Sequence, residues 1–76
     1  MTIKELMESN LYDDNQQIVI LYGNVNNPHR PYTGRLSEVP AELLDKKIEL
    51  LSSMGESRRS RWNLNQYGWM EVWVEE

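Results

Sequence analysis

The sequence contains no cysteine and no phenylalanine, and it contains a single histidine. Without cysteine, neither a disulfide framework nor a thiolate metal site can form. Because the chain has only 76 residues, it is near the lower size at which one hydrophobic core sustains folding without such cross-links. We therefore expect one compact domain over residues 1–76.

Long apolar runs and an excess of basic residues are also missing. No apolar stretch approaches the length of a membrane span, and the first residues lack the charged-then-apolar order of a secretory signal. We therefore expect a cytoplasmic protein without a membrane partner. The formal net charge of -4 disfavours nonspecific binding to nucleic-acid phosphates, except at a local basic patch.

Motifs for catalysis, metal binding and phosphate binding are missing too. His29 lies between two prolines, where we expect a loop, and no spacing resembles a metal site or a nucleophile–base pair. The glycines occur singly, so they form no phosphate-binding loop. We expect no catalytic residue, no metal and no cofactor, and hence a protein that is not an enzyme.

The N-terminal residues have the pattern of a short amphipathic helix. Thr2 and Glu5 have the spacing of a capping box at its start. The apolar residues that follow share one helical face: Ile3, Leu6 and Met7. This stripe predicts a helix over residues 3–9 that packs against a sheet.

Three segments predict strands. Residues 18–22 are β-branched, aromatic and apolar on both pleat faces, which is typical of a central strand covered on two sides. The polar turn that follows leads to an extended segment through Tyr32, so a β-hairpin is the simplest connection. Residues 69–74 alternate sharply. Met70, Val72 and Val74 form the expected core face, and Trp69, Glu71 and Trp73 form the opposite face.

Residues 40–54 fit two interpretations. Pro40 suits the first position of a helix, and apolar spacing of i, i+4, i+7 continues one helix as far as Gly55. Alternatively, a short helix ends near Asp45, and a strand follows with Ile48 and Leu50 on the same face. Periodicity alone does not decide between them, because short apolar runs fit both periods.

Several short motifs follow one another along the chain. They are the opening MTIKELM, the run Ile18-Val19-Ile20, Tyr32-x-Gly34, Val39-Pro40-x-x-Leu43-Leu44-Asp45 and Lys47-Ile48. This arrangement resembles short uncharacterised proteins encoded in phages and prophages of Gram-positive bacteria. In those proteins the proline marks a short helix and a strand follows, so the resemblance favours helix then strand. It implies a mobile-element origin and no known activity.

A cluster of arginines lies in the polar segment 55–67, where Arg58, Arg59 and Arg61 precede Trp62. The simplest interpretation is a solvated loop whose arginines balance nearby carboxylates. Alternatively, the cluster binds an acidic protein surface or single-stranded nucleic acid, since guanidinium groups pair with phosphate and aromatic rings stack on bases.

The two tryptophans of the last strand also fit two interpretations. A sheet covered on both faces buries Trp69 and Trp73, because a chain without phenylalanine needs its large rings in the core. Otherwise they form an exposed apolar face for a protein partner or for self-association.

Together these features predict an α+β domain with a small, mainly antiparallel sheet of about four strands, an N-terminal helix and a short second helix. For function we expect a small phage- or prophage-derived protein that binds a macromolecular partner, most readily another protein. Inhibition of a host factor is one concrete form that such binding could take. The candidate partner-binding residues are Arg58, Arg59, Arg61, Trp62, Trp69 and Trp73. The alternatives are a nucleic-acid-binding accessory protein that uses residues 58–62 and a homo-oligomeric structural protein.

Overall fold

Two short α-helices and four strands lie in residues 1–64 and 68–76, the part of the chain that the computed structural model describes. In chain order they are α1 (Ile3–Glu8), β1 (Gln17–Tyr22), β2 (His29–Arg35), β3 (Ile48–Ser53), α2 (Glu56–Arg61) and β4 (Met70–Val74). Two 3-10 turns, Leu36–Glu38 and Ala41–Leu43, lie between β2 and β3. The predicted α+β class is confirmed.

The four strands form one sheet in the order β2-β1-β4-β3. The outer pairs, β1 with β2 and β3 with β4, are antiparallel, whereas the central pair, β1 with β4, is parallel. A parallel pair needs a long connection, and β1 is separated from β4 by two strands, both 3-10 turns and α2. The sheet is therefore mixed, and it is mainly antiparallel as predicted.

Helix α1 begins with the predicted capping box. The Thr2 amide donates a hydrogen bond to the Glu5 carboxylate at 2.9 Å, and the Glu5 amide donates to the Thr2 hydroxyl at 3.2 Å. The bond from the Thr2 amide lowers the pKa of Glu5, because it stabilises the ionised carboxylate. Ile3 and Leu6 are buried on the inner side of the helix.

The sheet carries a hydrophobic cluster on each face. On the first face, α1 packs against β1 and β4 through Ile3, Leu6, Ile18, Ile20, Val72 and Val74, with Leu36 and Val39 beside them. On the second face, the buried residues are Val19, Leu21, Met54 and Trp69, and the partly buried Trp62, Leu64 and Trp73 pack against them. The predicted division of residues 69–74 between two faces is therefore confirmed.

The segment after Pro40 turns only once before it becomes extended. Ala41–Leu43 is a single 3-10 turn, and Pro40 precedes it with an extended ψ of 146°. The carbonyls of Leu44 and Lys46 accept hydrogen bonds from the amides at the start of α1, at 3.0 and 3.1 Å. They are therefore not used to continue a helix. The one-helix alternative for residues 40–54 is wrong, and the short second α-helix lies after β3.

The predicted faces of β3 are also wrong in part. A β-bulge lies between Ile48 and Leu50, since Ile48 pairs with Val74 and Leu50 with Trp73. A bulge sets two residues against one and shifts the alternation of side chains. Ile48 and Leu51 consequently pack against the first-face cluster, while Leu50 is 56% exposed.

Gly34 lies beneath the ring of Tyr32, whose hydroxyl donates a hydrogen bond to the Arg35 carbonyl at 2.6 Å. A Cβ atom at position 34 would lie 2.7 Å from that hydroxyl oxygen. We expect Gly34→Ala to lower the free energy of unfolding by about 1 to 3 kcal/mol, measured by urea denaturation. The loss should be smaller when the same substitution is made in a Tyr32→Phe protein. Equal losses in both backgrounds would contradict this explanation.

Candidate functional site

Helix α2 lies in the first half of the polar segment 55–67, for which the sequence gives no helical periodicity. Gly55 is its N-cap, Glu56 lies in its first turn, and Arg58, Arg59 and Arg61 lie in its last turn. This charge order suits the helix dipole. It is the local signal from which this six-residue helix, which has no buried residue, could have been predicted. Residues 65–67 of that segment lie outside the described part of the chain.

Arg58 joins α2 to the sheet. Its Nη1 donates to Glu71 Oε1 at 3.1 Å and its Nη2 donates to the Val25 carbonyl at 3.0 Å. The Glu71 carboxylate also accepts a hydrogen bond from the Trp73 indole nitrogen at 2.9 Å. The Arg58 and Glu71 side chains are only 19% and 10% exposed. We call Arg58, Glu71 and Trp73 the Glu71 network.

Aromatic rings surround the Arg58 guanidinium on two sides. Its carbon lies 5.5 Å from the centroid of Trp73 and 5.6 Å from that of Trp62. A second guanidinium, from Arg30 of β2, lies 4.6 Å from the Trp62 centroid. These distances allow cation–π attraction. Arg30 was not among the predicted residues, since it is far from Trp62 in sequence and only the fold brings them together.

The remaining arginines of α2 also make contacts within the molecule. Arg61 donates from Nη2 to the Asn26 carbonyl at 3.0 Å, and Arg59 is not free of interactions either. Arg58 and Arg61 therefore hold α2 against residues 23–28, which we call the β1–β2 turn. Two of the three predicted arginines thus contact backbone carbonyls of this turn.

A cleft of about 560 Å³ lies beside the Glu71 network, between β3, α2 and the β1–β2 turn. Its lining residues are Gly23, Val25, Glu49, Leu50, Ser52, Gly55, Ser57, Arg58, Glu71 and Trp73. Val25 is 63% exposed and Leu50 is 56% exposed. The cleft therefore has two exposed apolar side chains above a fixed polar and aromatic floor.

One end of the cleft is acidic. Glu49 lines both this cleft and a neighbouring one of about 340 Å³, which Glu75 and Glu76 also line. Arg58 also lines the cleft, but its positive charge is paired with the carboxylate of Glu71. The surface that a ligand meets there is consequently apolar and negatively charged.

The six predicted residues fall into different environments. Arg58, Trp62 and Trp73 lie together, whereas Trp69 is 9% exposed and belongs to the buried second-face cluster. Burial in a two-sided sheet, one of the two interpretations of the tryptophans, thus holds for Trp69. Sequence reasoning missed Val25 and Leu50, and no local pattern identifies them, because their exposure follows from the turn and the bulge.

Other kinds of site have less support within residues 1–64 and 68–76. No three or more His, Cys, Asp or Glu side chains in this range are grouped so that they could hold a metal ion. No helix among these residues has the length and apolar character needed to cross a membrane.

No protein-family model matches the chain, and no curated protein or solved structure is significantly similar to it.

Proposed function

We propose that this domain binds another protein through the cleft between β3, α2 and the β1–β2 turn. The observation that carries the proposal is the pair of exposed apolar side chains, Val25 and Leu50, that line one cleft with the Trp73 ring. Exposed apolar side chains grouped in this way are typical of binding surfaces. Tryptophan is also over-represented among the residues that dominate binding energies.

The Glu71 network supports this proposal because it fixes the floor of the cleft. Trp73 is held by its hydrogen bond to Glu71, and Glu71 is held by Arg58. A floor that is already ordered loses little conformational entropy on binding, so more of the contact energy is retained as affinity.

The charges of the cleft favour a protein over nucleic acid. Phosphate binding needs guanidinium groups that are free to pair with it, but Arg58 is paired with Glu71 and Arg61 with a backbone carbonyl. Glu49, Glu75 and Glu76 add negative charge beside the cleft. We therefore place the nucleic-acid alternative second.

A protein partner must contact more than the cleft. A standard interface buries about 800 Å² on each partner, which is roughly a sixth of the 4988 Å² accessible surface of this chain. The resemblance to phage and prophage proteins gives the proposal a concrete form, in which the partner is a cytoplasmic host protein and binding inhibits it.

The test is a pull-down with the tagged chain from lysate of the source cell, treated with nuclease. We expect a protein to be recovered in stoichiometric amount. Leu50→Ser or Val25→Ser should weaken its binding by about tenfold, because one apolar side chain is no longer buried at the interface. Leu11→Ser is the matched control, because Leu11 is 63% exposed but lies outside the cleft.

Three results would overturn the proposal or change the partner. Equal binding by the Leu50→Ser and Leu11→Ser proteins would remove the cleft as the interface. Recovery of nuclease-sensitive material alone, with affinity that falls steeply with salt, would favour the nucleic-acid alternative. A dimer that Leu50→Ser dissociates would favour the homo-oligomeric one.

A further inference from the structure

The two edges of the sheet differ in how they are protected. On the β2 edge, Pro31 has no amide hydrogen, and the exposed Arg30 and Arg35 add charge. Prolines and charged side chains are the usual means by which proteins block strand addition. On the β3 edge, Glu49 and the β-bulge lie at the beginning of Ile48–Ser53, but residues 50–53 read LLSS and carry neither proline nor charge. Residues 50–53 are therefore not blocked in this way.

The direction of the β3 amides follows from its pairing with β4. The Met54 amide donates to the Trp69 carbonyl at 3.0 Å. Because alternate residues of an antiparallel strand face the same neighbour, the Ser52 amide also faces β4. The amides of Leu51 and Ser53 therefore point to the outer edge, and none of the turn, loop and cap hydrogen bonds among the described residues involves them.

The N-terminus covers only the beginning of this edge. The Ile48 amide donates to the Met1 carbonyl at 2.7 Å, and Thr2 forms an isolated bridge with Lys47. Beyond Ile48, no strand of the described sheet pairs with the outer edge of β3, which is last in the strand order. The open part begins at Leu50, the residue whose side chain lines the proposed binding cleft.

The charges along this edge select a partner of one sign. Glu49 lies at the start of the open part, and Glu75 and Glu76 follow the neighbouring strand β4. Two basic side chains, Lys46 and Lys47, lie before β3, on the side that the N-terminus covers. An incoming strand along residues 50–53 thus meets a negatively charged surface next to an exposed leucine.

We propose that the partner binds as an extended segment that pairs with the Leu51 and Ser53 amides and adds a fifth strand to the sheet. The segment carries an apolar side chain that contacts Leu50 and Trp73, and a lysine or arginine beside it that contacts Glu49. This inference rests on the proposed function and names the partner class and the binding mode. Main-chain hydrogen bonds supply affinity in such strand addition, and the side-chain contacts supply specificity.

Hydrogen exchange of single amides, followed by NMR, tests the binding mode. The probe is a peptide selected on the full chain from a random-peptide display library. We expect the selected peptides to be enriched in lysine, arginine and apolar residues, and a bound peptide to slow exchange at Leu51 and Ser53 by about tenfold or more. The Ser52 and Met54 amides are internal controls, since they face β4 and are already protected in the free protein.

Charge is tested with matched variants. Glu49→Gln should weaken binding of the selected peptide by a few-fold at low salt and reduce its salt dependence. Glu8→Gln should change neither, because Glu8 is an exposed carboxylate of α1, which packs on the other face. Enrichment of acidic peptides, or equal effects of the two substitutions, would overturn the basic partner.

The outcomes also separate this inference from the proposed function. A peptide whose binding is weakened by Leu50→Ser, but which protects neither Leu51 nor Ser53, would overturn strand addition and leave the cleft as an interface. A peptide that binds equally well to the Leu50→Ser protein would count against both. Protection of these two amides that rises with protein concentration alone would replace the basic peptide by a second copy of this chain.

Discussion

Replacing Arg58 with alanine should lower the free energy of unfolding by about 3 kcal/mol, because it leaves the Glu71 carboxylate buried without its cationic partner. Glu71 is 8% exposed, and the Trp73 indole would be its one remaining hydrogen-bond donor among the described contacts. A domain of this size has a total stability of about 4 to 11 kcal/mol. Arg58→Ala therefore removes a large fraction of it, which urea denaturation will measure.

An exposed ion pair of similar length is the control for this prediction. Arg35 and Glu38 are 3.2 Å apart, but their side chains are 59% and 62% exposed. Since water screens such a pair, Arg35→Ala should cost under about 1 kcal/mol. The Arg58→Ala loss should also be partly recovered in Arg58→Ala/Glu71→Gln, where no buried charge is left unpaired. Equal small losses for both arginines would show that Glu71 does not depend on Arg58.

Because Arg58 supports Glu71 and Trp73 beside the cleft, a substitution of Arg58 can weaken binding indirectly. An Arg58 variant that no longer binds a partner has lost the support of the cleft floor, so the defect does not show that Arg58 touches the partner. Val25 and Leu50 are better probes of the proposed interface, because their exposed side chains contribute little to folding. Arg58 and Arg61 of the cluster have hydrogen-bond partners within the molecule.

The parts of the fold that the sequence predicts correctly depend on neighbouring residues. Thr2 and Glu5 form a capping box because their spacing alone allows both hydrogen bonds. Residues 69–74 divide between two clusters because alternation is a property of any strand. Local chemistry is sufficient in both cases.

The parts that it does not predict depend on distant contacts. The bulge at Ile48 and Leu50 arises from pairing with β4. After the 3-10 turn Ala41–Leu43, the carbonyls of Leu44 and Lys46 accept hydrogen bonds from α1 amides instead of continuing a helix. Helix α2 is too short to show periodicity, and its arginines contact a turn more than thirty residues away in sequence. None of these partners can be identified from a single segment.

The candidate site shows the same division. Sequence reasoning named Arg58, Trp62 and Trp73 as candidates, since arginine and tryptophan are over-represented among residues that dominate binding energies. It could not separate Trp69 from Trp73, because that difference comes from packing between distant segments, in which Trp69 is buried with Val19, Leu21 and Met54 while Trp73 is only partly buried. It missed Leu50, which the predicted alternation places on the same face as Ile48.

Replacing Trp69 with alanine should destabilise the domain by about 3 to 5 kcal/mol, the usual loss for a large ring removed from a core. Trp69 packs with Val19, Leu21 and Met54, all of them buried. On a chain this small, such a cavity removes much of the second-face cluster. Thermal unfolding followed by circular dichroism will measure the loss, and part of the protein is expected to be unfolded at 37 °C.

Trp73→Ala provides the comparison that separates core from interface. Trp73 is only partly buried and lines the cleft, so its removal should destabilise the domain less and weaken partner binding more. Trp73→Phe should keep most of the ring contacts while removing the hydrogen bond to Glu71. Its stability and its affinity for the partner should therefore lie between those of the unchanged protein and of Trp73→Ala. If Trp69→Ala left stability unchanged and abolished binding, Trp69 would be an interface residue, and the second face would bind its partner through both tryptophans.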